Sequence, residues 1–244
     1  AFGRLKAGFV PDDAIPAGDE TGRLLRWGYT QFKELFNGRQ LLALETAARW
    51  ISKVKDPRVK RALATNYSDL LRYQNMLCRY DSMALKSLDI FSIHGFPASY
   101  VQCESNFLGI RNATGSPVGS GGWVNITQKY AKAKRYCTEP FEVAFNGKKK
   151  TIVQTHGEWI GQVNPEHPDA HERVVDIRCG SATEMDLQAE SLDAVFTDPP
   201  YYGMVQYGEL MHFLYIWLRK LMGSDFVGLE AESTKNAGEL PGNA

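Results

Sequence analysis

The 244-residue sequence has little cysteine, and what it has is widely spaced. The four cysteines are Cys78, Cys103, Cys137 and Cys179, and no two of them show the two-residue separation of a zinc ribbon. Four isolated cysteines also do not form the dense framework of a small secreted disulfide protein. We therefore expect free thiols in a reducing compartment, and a cytoplasmic protein.

Long apolar runs and an excess of charge of one sign are also missing. The most apolar stretch, residues 210–222, contains Arg219 and Lys220 and is too short to span a bilayer. Residues 1–8 contain no apolar run of signal-peptide length. Lys plus Arg and Asp plus Glu both total 28, which excludes a histone-like composition but permits a local basic surface. We expect a globular protein that does not associate with membranes.

The first part of the chain carries helix signals. Apolar residues recur at three- and four-residue spacing up to Val54, and Asn37 stands where a helix cap is expected. Asp56 followed by Pro57 is typical of an N-cap with proline at the first helical position. A helical pattern continues toward Tyr80, with a break expected near Asn66. We interpret residues 1–110 as a mainly helical N-terminal part.

A basic region follows and is interpreted as an insertion, residues 111–172. Its Gly/Ser-rich beginning, residues 111–122, predicts a loop. Residues 124–150 then hold seven basic and two acidic side chains, and several of the cations lie about one helical turn apart between tyrosines. This spacing suits contacts with phosphates. The residues predicted to contact nucleic acid here are Lys129, Lys132, Lys134 and Arg135.

The last third, residues 173–244, predicts alternating strands and a helix. Residues 173–179 and 192–197 are short apolar runs that favour strands, each ending at a turn. Apolar residues then follow at helical spacing from Tyr207, with Gly223 as the expected end of the helix. Strand, turn, strand, turn and helix is the order found in α/β sheets, which bind ligands at the carboxyl ends of their strands.

The second predicted strand ends at Asp198-Pro199-Pro200-Tyr201. This tetrapeptide resembles motif IV of the S-adenosylmethionine-dependent amino-methyltransferases that act on bases in nucleic acids. The resemblance implies an α/β fold with a Rossmann-like methyltransferase core, of which this chain holds a part. It also implies that all four residues are catalytic and that Asp198 borders the cofactor.

The residue types suit that chemistry. The exocyclic amine of adenine is a poor nucleophile because its lone pair is delocalised into the ring. A carboxylate and a fixed carbonyl that accept its two hydrogens free the lone pair, and the prolines fix that carbonyl at low entropic cost. Tyr201 supplies a flat face for a base that has left its stack, and Tyr202 supports it.

A second turn matches the expected cofactor position. Gly180, Ser181 and Ala182 stand where the resemblance places the turn that binds the adenosyl group, with Ser181 in place of the usual acidic residue. Glu104 is a further candidate for a contact with ribose hydroxyls. The pair His167 and His171 has Pro168 between its members and no cysteine nearby, so we predict no metal site.

More of the chain resembles one group within this class, the large prokaryotic adenine-specific DNA methylases whose relatives carry a zinc ribbon. The resemblance is strongest over residues 192–219, extends to residues 36–44 and 119–134, and covers roughly residues 26–230. It implies methyl transfer from S-adenosylmethionine to the N6 amine of adenine in DNA. The implied partners are DNA and either the rest of a longer methylase or other DNA-modification and defence proteins.

The glycine-rich turn that such enzymes use to hold the methionine part of the cofactor is not found after a strand in this sequence. We therefore expect the chain to be an internal segment of a longer enzyme. Two alternatives stay open: a methyltransferase that acts on RNA or on a glutamine side chain of a protein, and a non-catalytic segment that binds nucleic acid.

Overall fold

The computed structural model describes residues 8–97, 102–155, 174–178, 180–199 and 205–234. The described residues form a mixed α/β structure of helices and small antiparallel sheets. The helices are α1 (Thr21–Arg26), α2 (Gly38–Ser52), α3 (Pro57–Leu71), α4 (Trp123–Thr138) and α5 (Tyr207–Met222), with short 3-10 helices at Phe32–Leu35 and Gly223–Asp225. The strands are β1 (Tyr80–Asp81), β2 (Lys86–Ser87), β3 (Ile110–Arg111), β4 (Pro117–Val118), β5 (Phe141–Asn146) and β6 (Lys149–Gln154).

Local signals explain where the main helices begin and end. The side chain of Asn37 accepts hydrogen bonds from the first turn of α2, and the Gln40 side chain accepts one from the Asn37 N–H, which completes a capping box. Asp56 caps α3 in a similar way, with Pro57 at the first helical position. Helix α5 ends at Gly223, whose φ of 49° lies in the left-handed region that glycine adopts without strain. These three predictions are confirmed.

Helix α3 differs from the predicted pattern at one point. It runs without a break through Asn66, whose Nδ2 donates to the carbonyl of Ala62 at 2.7 Å, and it ends at Leu71 rather than continuing toward Tyr80. The amide bonds to the preceding helical turn, so this asparagine does not interrupt the helix.

The chain divides into two compact units. One consists of Ala1–Gln128 with Asp198–Ala244, and the other of Lys129–Thr197. In the first unit, α2, α3 and α5 pack around a cluster of aromatic side chains. The ring of Phe36 stacks on Phe213 with centroids 5.8 Å apart and meets the edge of Trp217 at 5.0 Å. Phe213 and Trp217 are fully buried, so α5 is the apolar centre of this unit.

In the second unit, the last turns of α4 lead into the hairpin of β5 and β6. The ring of Tyr136 on α4 meets that of Phe141 on β5 edge to face, with centroids 5.2 Å apart. The N–H of Thr155 donates to the carbonyl of Pro140 at 3.0 Å and closes the base of the hairpin. These contacts connect the end of α4 to the base of the hairpin.

The strands predicted for residues 173–179 and 192–197 are not formed in the described parts of those segments, 174–178 and 192–197. Ile177 is 90% exposed and Phe196 is 95% exposed. A strand needs a neighbouring strand for its backbone N–H and C=O groups, and the described residues place none beside either segment. The side-chain pattern alone therefore did not predict the local structure correctly.

All three sheets of the described residues are two-stranded and antiparallel. The broad prediction of a mixed α/β protein is confirmed. The Rossmann-like core, which needs a parallel sheet, stays a prediction. Among the described residues, no helix has the length and apolar character needed to cross a membrane.

Candidate functional site

Asp198 and Pro199 lie in an exposed segment without regular secondary structure. An exposed carboxylate at this position is available to a substrate and does not serve the packing of a core. Pro200, Tyr201 and Tyr202 lie outside the described residues. Of the tetrapeptide, the structure therefore describes Asp198 and Pro199.

The helix that follows the tetrapeptide is held firmly in its unit. Helix α5 begins at Tyr207, and Glu209 in its first turn is buried. The Glu209 carboxylate accepts backbone hydrogen bonds from Asp19 at 3.1 Å and from Glu20 and Thr21 at 3.0 Å each. A carboxylate at the amino end of a helix satisfies N–H groups that have no partner within the helix. Glu209 thus ties the start of α5 to the start of α1.

The sequence pattern did not predict this buried carboxylate. Glutamate in the first turn of a helix is ordinary, and nothing nearby in sequence shows that its partners lie 188 to 190 residues away. The structure leaves no room for a side chain at Gly18, because a Cβ built there would lie 2.2 Å from Glu209 Oε1. Only the tertiary contact shows why glycine suits that position.

The predicted cofactor turn lies in the other compact unit. Gly180 and Ala182 are exposed, and nothing lies within 4 Å of a Cβ built on Gly180. The Ser181 hydroxyl is 2.8 Å from that of Thr183 and accepts the Thr183 N–H at 3.3 Å. Ser181 therefore organises its own turn, and the described residues do not form a cradle around Gly180.

Glu104 has partners that account for its position without a ligand. Its carboxylate accepts from Arg39 Nε at 3.1 Å and from Asn37 Nδ2 at 3.0 Å. The hydrogen bond from Arg39 holds the pKa of Glu104 below its usual value, and the bond from Asn37 acts in the same direction. Asn37 also caps α2, so Glu104 anchors the loop at 102–109 to the start of that helix. His167 and His171 lie outside the described residues.

The four cations predicted to contact nucleic acid are all exposed on α4, within the second unit. Lys129 and Lys132 are three residues apart, as are Lys132 and Arg135, so each pair shares a helix face. Lys134 lies on the flank of Tyr130, with its Nζ 5.6 Å from the ring centroid. These cations lie on a helix, and their contact with nucleic acid stays a prediction.

The three lysines that end the basic segment occupy a different element. Lys148, Lys149 and Lys150 lie at the tip of the β5–β6 hairpin, beside Asn146 and Gly147. The basic composition of the segment did not by itself predict a hairpin. The available signal was Gly147 between two alternating segments, because glycine at the first central position favours a two-residue hairpin turn.

The first unit also contains a cavity of about 250 Å³. Its lining residues are Arg23, Leu24, Trp27, Tyr29, Leu77, Phe96, Pro97 and Gln102. None of the predicted catalytic or cofactor-binding residues belongs to this lining.

No protein-family model matches the chain, and no curated protein or solved structure is significantly similar to it. The resemblance to the adenine-specific DNA methylases consequently stays a prediction that depends on the motifs of the sequence itself.

Proposed function

We propose that this chain contributes the catalytic tetrapeptide of a DNA methyltransferase that transfers a methyl group to the N6 amine of adenine. The observation that carries the proposal is the tetrapeptide Asp198-Pro199-Pro200-Tyr201, placed shortly before the buried helix α5. Two further observations support it: Asp198 is exposed, and an exposed basic helix lies in the same chain. We place the protein in the cytoplasm, as an enzyme of DNA modification with a Rossmann-like catalytic core.

In the proposed mechanism, Asp198 and Pro199 act on the target amine. The Asp198 carboxylate accepts one hydrogen of the amine, and the carbonyl of Pro199 accepts the other. Together they draw the nitrogen out of conjugation with the ring, which makes its lone pair available for methylation. Pro200 restricts the backbone, and Tyr201 stacks on the extruded base with Tyr202 behind it.

S-adenosylmethionine is the cofactor that the tetrapeptide implies, and it supplies an electrophilic methyl group. The described residues do not fit the whole of this molecule. Gly180, Ser181 and Ala182 form an exposed turn, and the Ser181 hydroxyl accepts the Thr183 N–H. We propose that these three residues contact the adenosyl part and that other parts of the enzyme hold the methionine part.

The proposed substrate is a nucleic acid because the basic side chains are grouped and exposed, and the resemblance to the adenine-specific DNA methylases favours DNA. Lys129, Lys132, Lys134 and Arg135 lie on one exposed stretch of α4 in a chain with no net charge. Such a local excess of positive charge binds a phosphate backbone through release of counterions. A methyltransferase acting on a protein glutamine has no need of this surface.

The experiment that tests the proposal uses the full-length protein that contains this chain. Transfer of labelled methyl groups from S-adenosylmethionine to duplex DNA is measured, and the product nucleoside is identified by mass spectrometry. We expect N6-methyladenine from the unmodified protein and a loss of about 10²–10³-fold in turnover for Asp198→Ala, as for removal of one group that stabilises a transition state. The melting temperature of this variant is expected to stay unchanged because Asp198 is exposed.

Asp193→Asn is the matched control, since Asp193 is exposed in the same segment and lies outside the tetrapeptide. It is expected to keep full activity. Near-normal transfer by Asp198→Ala contradicts the catalytic assignment. Label found in RNA or in protein glutamine contradicts the substrate assignment. DNA binding without any methyl transfer favours the alternative of a non-catalytic nucleic-acid-binding protein.

A further inference from the structure

The β5–β6 hairpin is a two-stranded ribbon with a tight turn. Its register pairs Phe141 with Gln154, Val143 with Ile152 and Phe145 with Lys150, and the last pair before the turn is Asn146 with Lys149. Gly147 has a φ of 61°, the left-handed conformation that a two-residue hairpin turn requires. The turn itself is therefore made of Gly147 and Lys148.

The ribbon is exposed on both faces. Paired residues of an antiparallel ribbon point to the same face, so Val143, Phe145, Lys150 and Ile152 share one face. Phe145 is 70% exposed and Ile152 is 57% exposed. An isolated two-stranded ribbon is only marginally stable in water. An exposed phenylalanine near its tip is thus a feature of a contact surface rather than of a core.

The charge at the tip identifies the kind of partner. Lys148, Lys149 and Lys150 are consecutive and exposed, whereas the acidic residue of the hairpin, Glu142, lies near its base. Three cations within one turn of a ribbon suit a closely spaced row of phosphates. They are less suited to a partner of mixed charge, such as an ordinary protein surface.

The side chains beside the tip indicate how the ribbon contacts that partner. The face that carries Val143, Phe145 and Ile152 has only Lys150 near the tip and Gln154 at the base as side chains that could read base edges in the major groove. An apolar side chain flanked by cations is what minor-groove-binding proteins insert between base steps, while neighbouring cations contact the phosphates. Phe145, directly opposite Lys150, has this arrangement.

We propose that the β5–β6 hairpin is a DNA-binding arm that enters the minor groove of duplex DNA. Phe145 inserts as a wedge at a base step and bends the duplex, and the three tip lysines contact the flanking phosphates. The proposal rests on DNA as the partner in the proposed function, but it does not depend on methyl transfer. The arm contacts DNA in addition to the contacts proposed for the cations on α4.

The test measures DNA binding and bending by the full-length protein. A duplex of about 30 base pairs carries a fluorescent donor and acceptor at its two ends, and energy transfer reports the bend on binding. We expect the unmodified protein to raise the energy transfer, Phe145→Ala to abolish most of that increase, and Phe145→Leu to retain it because leucine is also an apolar wedge. The salt dependence of binding is expected to be the same for both Phe145 variants.

A triple variant in which alanine replaces Lys148, Lys149 and Lys150 provides the second arm of the test. This variant is expected to reduce the slope of log affinity against log salt by roughly 0.9 for each phosphate that is no longer neutralised. Thr151→Ala is the matched control, because Thr151 carries no charge and pairs with Ala144 on the face opposite Phe145. It is expected to leave both bending and the salt slope unchanged.

Methyl transfer is measured in the same samples. A failure of the DNA-binding arm can therefore be distinguished from a failure of the proposed methyltransferase function. Bending that is abolished in Phe145→Ala supports the arm whether or not the protein methylates DNA. Bending by Phe145→Ala equal to that of the unmodified protein overturns the wedge, and an unmodified protein that leaves the duplex straight overturns it as well. A loss of bending in Thr151→Ala shows instead that the opposite face makes the contact, which also overturns the proposal.

Discussion

Glu209 and Thr21, 188 residues apart in the sequence, are joined by two hydrogen bonds to a single carboxylate oxygen. Oε2 of Glu209 accepts the Thr21 N–H at 3.0 Å and the Thr21 hydroxyl at 3.2 Å. Both residues are buried, and the contact connects the first turn of α5 to the first turn of α1. These bonds fix the first turn of α5, the helix that follows the tetrapeptide in the sequence.

Replacement of Glu209 tests this contact. Glu209→Ala leaves the N–H groups of Asp19, Glu20 and Thr21 without their acceptor, and a buried unsatisfied donor costs about 1–3 kcal/mol. We expect the free energy of unfolding, measured by urea denaturation, to fall by at least about 2 kcal/mol. Met211→Ala on the same helix is the control, since Met211 is 41% exposed and is expected to change stability by less than about 0.5 kcal/mol. Equal stability of the two variants would contradict the role of Glu209.

The pair formed by Arg39 and Glu104 predicts a pH dependence with a definite sign. The Arg39 hydrogen bond lowers the pKa of Glu104 from its usual 4.5 in the folded protein. The pair therefore contributes to stability above about pH 4.5, and the contribution is lost as the pH falls through the lowered pKa of the folded state. Because Arg39 is largely exposed, solvent screens the interaction and the effect on stability is small.

The measurement is an NMR titration of the Glu104 carboxyl carbon. Arg39→Gln is expected to raise the pKa of Glu104 toward its usual value. Arg58→Gln is the control: Arg58 lies 4.0 Å from Asp56 and is expected to leave the Glu104 titration unchanged. A Glu104 pKa that does not respond to Arg39→Gln would show that the ion pair is not formed in solution.

The three described cysteines are free and differ in burial, so we expect them to differ in reactivity. Burial raises the pKa of the Cys78 thiol to about 12, so very little thiolate is present at about pH 8. Cys137 is exposed on α4. We expect iodoacetamide to modify Cys137 rapidly in the native protein and Cys78 only after unfolding, as measured by peptide mass spectrometry. Cys137→Ser removes the rapid modification, and rapid labelling of native Cys78 would contradict its burial.

The cations of α4 predict a change in the salt dependence of DNA binding. Replacement of Lys129, Lys132 and Lys134 by alanine is expected to weaken binding to all sequences alike. It is also expected to flatten the slope of log affinity against log salt by roughly 0.9 for each phosphate that these lysines neutralise. Sequence preference persists, because contacts with phosphates position a protein and do not read bases.

The control for these lysines is the double variant Lys53→Ala, Lys55→Ala. Both of these lysines lie outside the basic segment, and the Lys53 ammonium covers the ring of Trp50. This variant is expected to show the same slope of log affinity against log salt as the unmodified protein. An unchanged slope in the triple variant would show that the α4 lysines form a solvated surface.

The sequence predicted three helix boundaries correctly because their signals are local. Asn37, Asp56 with Pro57, and Gly223 each act on backbone groups within a few residues of themselves, so the starts of α2 and α3 and the end of α5 follow from them. The apolar spacing in α5 predicted the buried face in part: Leu210, Trp217 and Leu221 are buried, whereas Tyr207 is 55% exposed. The fully buried Phe213 was not part of the predicted spacing, and only the aromatic cluster shows its place in the core.

The strands were predicted poorly because their partners are not local. Apolar runs at 174–178 and 192–197 satisfied the side-chain pattern, yet no neighbouring strand accepts their backbone hydrogen bonds among the described residues. The hairpin at Phe141–Gln154 formed where its two strands are joined by a tight turn, so that each supplies the other's partners. The proximity of the pairing strand accounts for the difference, since loop closure is least costly for a short connection.

The same difference between local and distant interactions applies to the candidate site. The sequence by itself determined the tetrapeptide at Asp198, the grouping of cations on α4 and the helix that follows the tetrapeptide, because each is a property of consecutive residues. Only the tertiary structure decided that Glu209 is buried against Thr21, that Glu104 is held by Arg39, and that Phe145 is exposed opposite Lys150. Burial and hydrogen bonding depend on which residues, distant in sequence, come into contact in the folded protein. The order of residues along the chain does not give the distances between them.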